Sequence, residues 1–180
     1  MAKQNTTREA VAGKLARALA DSYALYMKTH GFHWNVVGPD FQPLHEEFEK
    51  QYRELWEAVD EIAERIRALG VFAPGSFADL LELTSISEER GVPVPEEMLR
   101  QLVADHEKTL ASLREARKTA EAAGDDATVN LMDDRLTVHE KTAWMLRSLL
   151  ERPAGDGHVA KSVRDQLQAG GGNRPRRAVG

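Results

Sequence analysis

Nine apolar residues between Asp40 and Leu69 decide what this chain can fold into: Phe41, Leu44, Phe48, Tyr52, Leu55, Val59, Ile62, Ile66 and Leu69. Their gaps alternate between three and four with little drift. That is the period of an amphipathic helix. Held over about 30 residues, it makes a helix roughly 45 Å long that packs along its whole length in a bundle. Gly70 ends it.

The rest of the chain supplies partners of similar length. A first helix is expected from Thr6 or Thr7 to about Trp34, with Val11, Leu15, Leu19, Tyr23 and Tyr26 at helical steps. Val37-Gly38-Pro39-Asp40 reads as the turn into the second helix. Pro95-Glu96-Glu97 opens a third, striped by Leu99, Leu102, Val103, His106, Leu110 and Leu113 and ended by Gly124. Asp125 caps a fourth, about Asp126 to Leu150, which Pro153 stops. Between them, residues 70–95 are broken by prolines and glycines, yet Phe77, Leu80, Leu81 and Leu83 suffice for a short helix. No stretch alternates as a strand would. The expected architecture is all-α: four long helices, with a short extra helix in the long crossover from the second to the third. The domain limits are a flexible start over 1–7, a bundle over 8–152 and a tail over 153–180.

The chain has no cysteine, which removes disulfides, Cys-bound zinc, iron–sulfur clusters and thiol catalysis. It has no apolar run of membrane-spanning length, and its polar start lacks the apolar core of a signal peptide, so a cytoplasmic protein with no membrane partner is expected. Residues 1–152 hold 19 Lys and Arg against 27 Asp and Glu, a net −8. The Gly- and Arg-rich tail holds Lys161, Arg164, Arg174, Arg176 and Arg177 against Asp156 and Asp165, a net +3. An acidic body with a basic, disordered tail hints at a polyanion partner for the tail.

The second helix also carries chemistry. Viewed down its axis from His45, Glu49 lies at about 40°, Asp60 at about 60° and Glu64 at about 100°, one arc beside the apolar stripe. The helical hairpin brings His33, near the end of the first helix, to the same end as His45. Any metal must use His, Asp and Glu, donors that suit iron, manganese or zinc better than copper(I). Yet Glu49 and Asp60 stand roughly 17 Å apart along the axis, and His45 and Glu64 roughly 29 Å. Metal–ligand bonds are about 2 Å, so one straight helix cannot close both groups on one ion. Either the groups are unrelated, as acids on a solvated bundle face usually are, or a second copy lies antiparallel across a two-fold axis near Glu54-Leu55. In the second case each dimer has two equivalent sites.

The run His33-Trp34-Asn35-Val36-Val37-Gly38-Pro39-Asp40-Phe41-Gln42-Pro43-Leu44-His45, then Glu49, then Asp60-Glu61-Ile62-Ala63-Glu64-Arg65, resembles the signature of the Dps family, the DNA-binding proteins from starved cells. Phe72-Ala73-Pro74-Gly75-Ser76 and Leu81-Glu82-Leu83-Thr84-Ser85-Ile86 resemble it too, so the likeness covers about residues 8–152. These are mini-ferritins of the ferritin-like superfamily. The resemblance implies a ferritin-like four-helix bundle with the short extra helix, assembled as a hollow dodecamer of two-fold dimers. It implies a ferroxidase centre between subunits, with His33, His45 and Glu49 from one chain and Asp60 and Glu64 from its mate. Many members carry Asp where this chain has Glu49. Trp34 would lie beside the centre as a redox neighbour. Glu121 and Asp126 match acids that line three-fold pores, while Asn130 stands where an acid is frequent.

The function so implied is iron storage and detoxification. Fe²⁺ is oxidised by hydrogen peroxide, or more slowly by oxygen, and the ferric product is kept as mineral inside the shell, protecting DNA. Zinc or manganese could substitute at the same donors. Within the bundle, none of the six histidines follows a Glu by three residues, so the larger ferritins' bundle-centre site is not expected and the centre should be a dry core. That also argues against a di-metal oxygenase. The alternative reading is a nucleoid-associated structural protein that compacts double-stranded DNA through the non-specific phosphate contacts of Lys161, Arg164, Arg174, Arg176 and Arg177.

Overall fold

Five helices make up the described part of the computed structural model, which covers residues 2–151, with side chains from residue 6 onward. In order they are α1 (Ala2–Asn35), α2 (Phe41–Ala68), α3 (Phe77–Leu83), α4 (Pro95–Ala123) and α5 (Asp126–Leu150). No strand occurs among the described residues. The expected four long helices and the short one in the crossover are therefore all present. The boundary that differs is the start of α1, at Ala2 rather than Thr6 or Thr7. Residues 2–7 contain no Gly or Pro, and lengthening a formed helix needs no new nucleus. The expectations for residues 153–180 fall outside the described residues.

The ends follow from local chemistry. Pro95 sits in the first turn of α4 with Glu96 and Glu97, where no backbone N–H is missed and the helix dipole favours acids. Gly124 closes α4 at φ 67°, a left-handed conformation that costs glycine least. Asp125 then caps α5, accepting from Thr128 N at 3.2 Å and Thr128 Oγ1 at 2.6 Å. Ser76 caps α3 by accepting from Asp79 N at 3.1 Å.

Leu15 and Leu19 of α1, Val59, Ile62 and Ile66 of α2, Leu113 and Ala116 of α4 and Met132 of α5 form the apolar core. Two stripe members of α2 depart from it. Phe41 is exposed, with its ring beside that of His45, and Tyr52 is half-buried, with its ring edge-on to His33, while Leu44 and Phe48 between them are buried.

The bundle interior is also less dry than the stripes suggest. His106 of α4 and His139 of α5 are buried, with Nδ1 atoms 2.9 Å apart. Arg135 Nη2 lies 3.3 Å from His139 Nε2, and the same guanidinium is paired with Glu54 of α2. Arginine only donates, so His139 Nε2 accepts, His139 Nδ1–H donates to His106, and His106 keeps its proton on Nε2. That Nε2 is buried and has no hydrogen-bond partner. Burial pushes the His106 pKa down to about 3, with the Arg135 charge adding to the effect. His139 is lowered by burial and then by His106 and Arg135. Both rings are neutral, and the spine Glu54–Arg135–His139–His106 ties three helices together.

A second buried acid fastens the crossover. Asp21 of α1 is fully buried, and its Oδ1 accepts from Ser85 N at 2.6 Å, Thr84 Oγ1 at 2.9 Å and Ser85 Oγ at 3.0 Å. The chain leaving α3 is thereby pinned to α1. By contrast α3 itself has no buried residue, and Phe77 and Leu81 remain exposed. No described helix is long and apolar enough to cross a membrane.

Candidate metal centre

The turn between α1 and α2 contains Gly38 at φ 118°, which lets the two helix ends lie side by side. Across it His33 and His45 stack, with ring centroids 3.8 Å apart and planes inclined by 21°. His33 Nδ1 lies 2.9 Å from the carbonyl oxygen of His45, and His45 Nδ1 lies 2.9 Å from the carbonyl oxygen of His33. A carbonyl oxygen can only accept, so each Nδ1 carries a proton and donates. In the neutral form of either ring, the Nδ1 proton fixes one tautomer and leaves the Nε2 lone pair available. Metal-binding histidines characteristically use one nitrogen for the ion and give the other N–H to an acceptor such as a backbone carbonyl. The pair thus fits a metal by its donor chemistry.

Glu49 stands one turn beyond His45 and is half-exposed. Arg53 Nε and Nη2 donate to its Oε1 at 2.9 and 2.6 Å. The Glu49 carboxyl is held below its usual pKa, chiefly by the Arg53 hydrogen bond; slight burial opposes this, and the Arg53, His33 and His45 charges reinforce it. It is an ionised oxygen donor beside the two imidazoles.

Around this group lies a set of rings. His30, one turn before His33, stacks on Tyr52 at 4.0 Å and meets Trp34 at 4.2 Å. Tyr52 approaches His33 edge-on at 5.2 Å. Tyr26 links Tyr52 at 6.3 Å to Trp56 at 5.9 Å. Trp34 itself is 58% exposed, so its ring faces outward beside the histidines rather than into the fold. Burial lowers the His30 pKa, with His33 and Arg53 adding to the effect.

Asp60 and Glu64 lie further along α2, both exposed. Among the described residues of one chain, no group of three or more His, Asp or Glu side chains gathers where it could hold a metal ion. The five expected ligands are therefore split into a histidine-rich group at one end of α2 and a pair of carboxylates toward the other. Of the expected pore residues, Glu121 is exposed and pairs with Arg117 at 3.2 Å, and Asp126 and Asn130 are exposed on α5. Asp125 is turned inward to Arg65, at 2.6 Å. Lys161, Arg164, Arg174, Arg176 and Arg177 lie outside the described residues.

Sequence reasoning missed three participants: Arg53, His30 and the His106–His139 spine. Arg53 was visible as a basic residue four positions after Glu49, the spacing of a helical ion pair. The spine had a signal as well, since His106 sits within an apolar stripe. His30 had none, because its role depends on rings from another helix.

Comparison with known proteins bears on the fold and the family. A model of the ferritin-like domain matches residues 12–154. A low temperature-induced protein of Nostoc sp. is 40% identical over 146 residues, 80% of this chain and 82% of that protein. A DNA protection during starvation protein of Brevibacillus brevis is 38% identical over 148 residues, 82% of this chain and 99% of that one. The X-ray structure of Dps from Thermosynechococcus elongatus superposes with a TM-score of 0.81 at 30% identity, covering 88% of this chain and 99% of that chain. Fold, family model and relatives converge, and the chain belongs to the Dps family of the ferritin-like superfamily.

Proposed function

We propose that this protein stores iron and protects DNA by oxidising Fe²⁺ at centres shared between two copies of the chain. The observation that carries the reading is the reciprocal pair of Nδ1–H···O=C bonds between His33 and His45, which presents two Nε2 donors side by side. Glu49 adds an ionised oxygen. These donors do not close a site within one chain, and Asp60 and Glu64 of the partner subunit would complete it. Oxygen donors favour the more highly charged Fe³⁺ over Fe²⁺, so completing the site with carboxylates promotes loss of the electron.

Iron is the substrate. With hydrogen peroxide the balance is 2 Fe²⁺ + H₂O₂ + 2 H⁺ → 2 Fe³⁺ + 2 H₂O, and oxygen is the slower oxidant. The ferric product would mineralise within a hollow shell of twelve chains, reached through pores that Glu121 and Asp126 make attractive to cations. Trp34, whose ring lies 4.2 Å from that of His30, would intercept radicals that escape the centre. Zinc and manganese suit the same donors. The basic tail would add weak phosphate contacts, multiplied by the number of tails per particle.

Complementation tests the sharing. His33→Ala/His45→Ala and Asp60→Ala/Glu64→Ala chains should each assemble yet lose peroxide-driven Fe²⁺ oxidation. Mixed dimers of the two should regain one intact centre of two. If each variant alone is inactive and co-assembly restores no activity, the sharing is refuted; if either variant alone keeps its activity, the ligand assignment is refuted.

A further inference from the structure

None of the seven residues of α3 is buried. Phe77 is 71% exposed and Leu81 55%, while Leu80 and Leu83 are only half-buried. A helix this short does not persist on its own propensity. It is held by the Ser76 cap at its start and by fully buried Asp21, which grips Thr84 and Ser85 just past its end. A buried acid thus keeps an apolar helix at the surface. The apolar surface continues beyond α3: the Phe77 ring meets Tyr23 at 6.2 Å, Tyr23 meets Tyr26 at 5.7 Å, and Tyr26 meets Trp56 at 5.9 Å. Trp56 and Met27 are themselves more than half exposed. A groove of about 410 Å³ between α2 and α3, lined by Leu19, Trp56, Val59, Ala63, Phe77 and Leu80, lies within this face. A contiguous exposed apolar face of this kind marks a site of association.

The height of this face on the bundle identifies what covers it. His33 stands opposite His45, and Tyr26 opposite Tyr52, on the antiparallel α1 and α2. By the same pairing Tyr23 stands level with Leu55, and Met27 level with Gln51. The face is therefore centred, along α2, within about 5 Å of the point between Glu54 and Leu55. The spacing of His45, Glu49, Asp60 and Glu64 puts a two-fold axis at that same point. At a two-fold axis a patch meets its own copy, so an apolar face there finds an apolar partner. Exposed Glu57, Asp60 and Glu82 beside it would repel a polyanion. Resting on the reading of a centre shared across that axis, we infer that α3, Trp56 and Met27 form the face on which a second copy of this chain seats. α3 is then an association element rather than a part of the bundle. Asp21 is the positioning residue that holds α3 in place from inside the fold.

The chain has no cysteine, so a single introduced thiol reports on one place only. Met27→Cys puts that thiol on the face, and a short bifunctional maleimide should join it to its own copy as a covalent dimer on a denaturing gel. Adding Phe77→Glu and Leu81→Glu should abolish that product and lower the particle mass in light scattering, with pairing weakened about a hundredfold or more. Both side chains are mostly exposed, so helical content should not change. Asp21→Ala, which frees the crossover, should lower the yield of covalent dimer, and Asp21→Asn, which keeps an acceptor, should restore it. Full yield from Asp21→Ala removes Asp21 as the positioning residue. No covalent dimer from Met27→Cys overturns the inference, as does full yield from the chain with both glutamates. Activity restored by complementation beside a failed cross-link removes the face and leaves the shared centre standing; covalent dimers without complementation do the reverse.

Discussion

Acid should weaken this subunit through His106, by an amount the structure allows one to work out. In the folded chain the ring is buried with a pKa of about 3; in the unfolded chain it returns to about 6.5. Below pH 6.5 the unfolded state takes up a proton that the folded state refuses until about pH 3. Stability therefore falls as pH drops through that window, by about 1.4 kcal/mol per pH unit once well below 6.5. Between pH 7 and pH 5 the His106 share is about 2 kcal/mol. His139 is shifted in the same direction and adds to the loss. His106→Gln isolates the share: the amide oxygen still accepts from His139 Nδ1–H, and nothing titrates at that position. Urea unfolding of the iron-free protein at pH 7 and pH 5, at one protein concentration, should give a stability loss smaller in His106→Gln by about 2 kcal/mol. The carboxylates that also titrate in this range are common to both proteins and cancel. Equal losses in the two, with unchanged helical content, would refute a buried neutral His106.

Two further outcomes follow from other parts of the chain. Asp21→Ala strips three donors of their shared acceptor, so it should cost about 2–3 kcal/mol and raise hydrogen exchange at Ser85 and Ile86 before the bundle helices; unchanged exchange there would mean the crossover is held by something else. A chain ended at Pro153 should lose gel retardation of double-stranded DNA at low salt while oxidising iron normally; equal retardation would remove the tail from DNA binding.

Much of this fold is legible from periodicity and punctuation. The α2 stripe, the Pro95 start, the Gly124 stop and the Asp125 cap each have a local cause that acts within four residues, so the sequence carries them. The division of the proposed ligands is legible for the same reason: His45, Glu49, Asp60 and Glu64 share a helix, and its rise alone separates them into two groups. What is not legible depends on contacts between helices. The exchange of Nδ1–H bonds between His33 and His45 needs the geometry of the turn. Glu54 reads as one more acid on a solvated face, and only the approach of α5 makes it the partner of buried Arg135. Asp21 reads as a polar interruption in α1, and only the return of the crossover explains it. The length of α1 was underestimated because a polar start offers no stripe to follow.

The spacing along α2 has a consequence for how such a chain can vary. If each copy supplies the histidine half of one centre and the carboxylate half of the other, the eleven residues from Glu49 to Asp60 act as a ruler read twice. Inserting or deleting one residue between them would swing Asp60 and Glu64 by about 100° and slide them by about 1.5 Å in both centres at once. Two whole turns nearly restore the direction, but the slide of about 10 Å does not cancel. The crossover over residues 70–94 is subject to no such rule beyond the Asp21 clamp. Length changes should therefore accumulate before Thr84 and be absent from the middle of α2, a pattern that a collection of related sequences would display as a gap-free block.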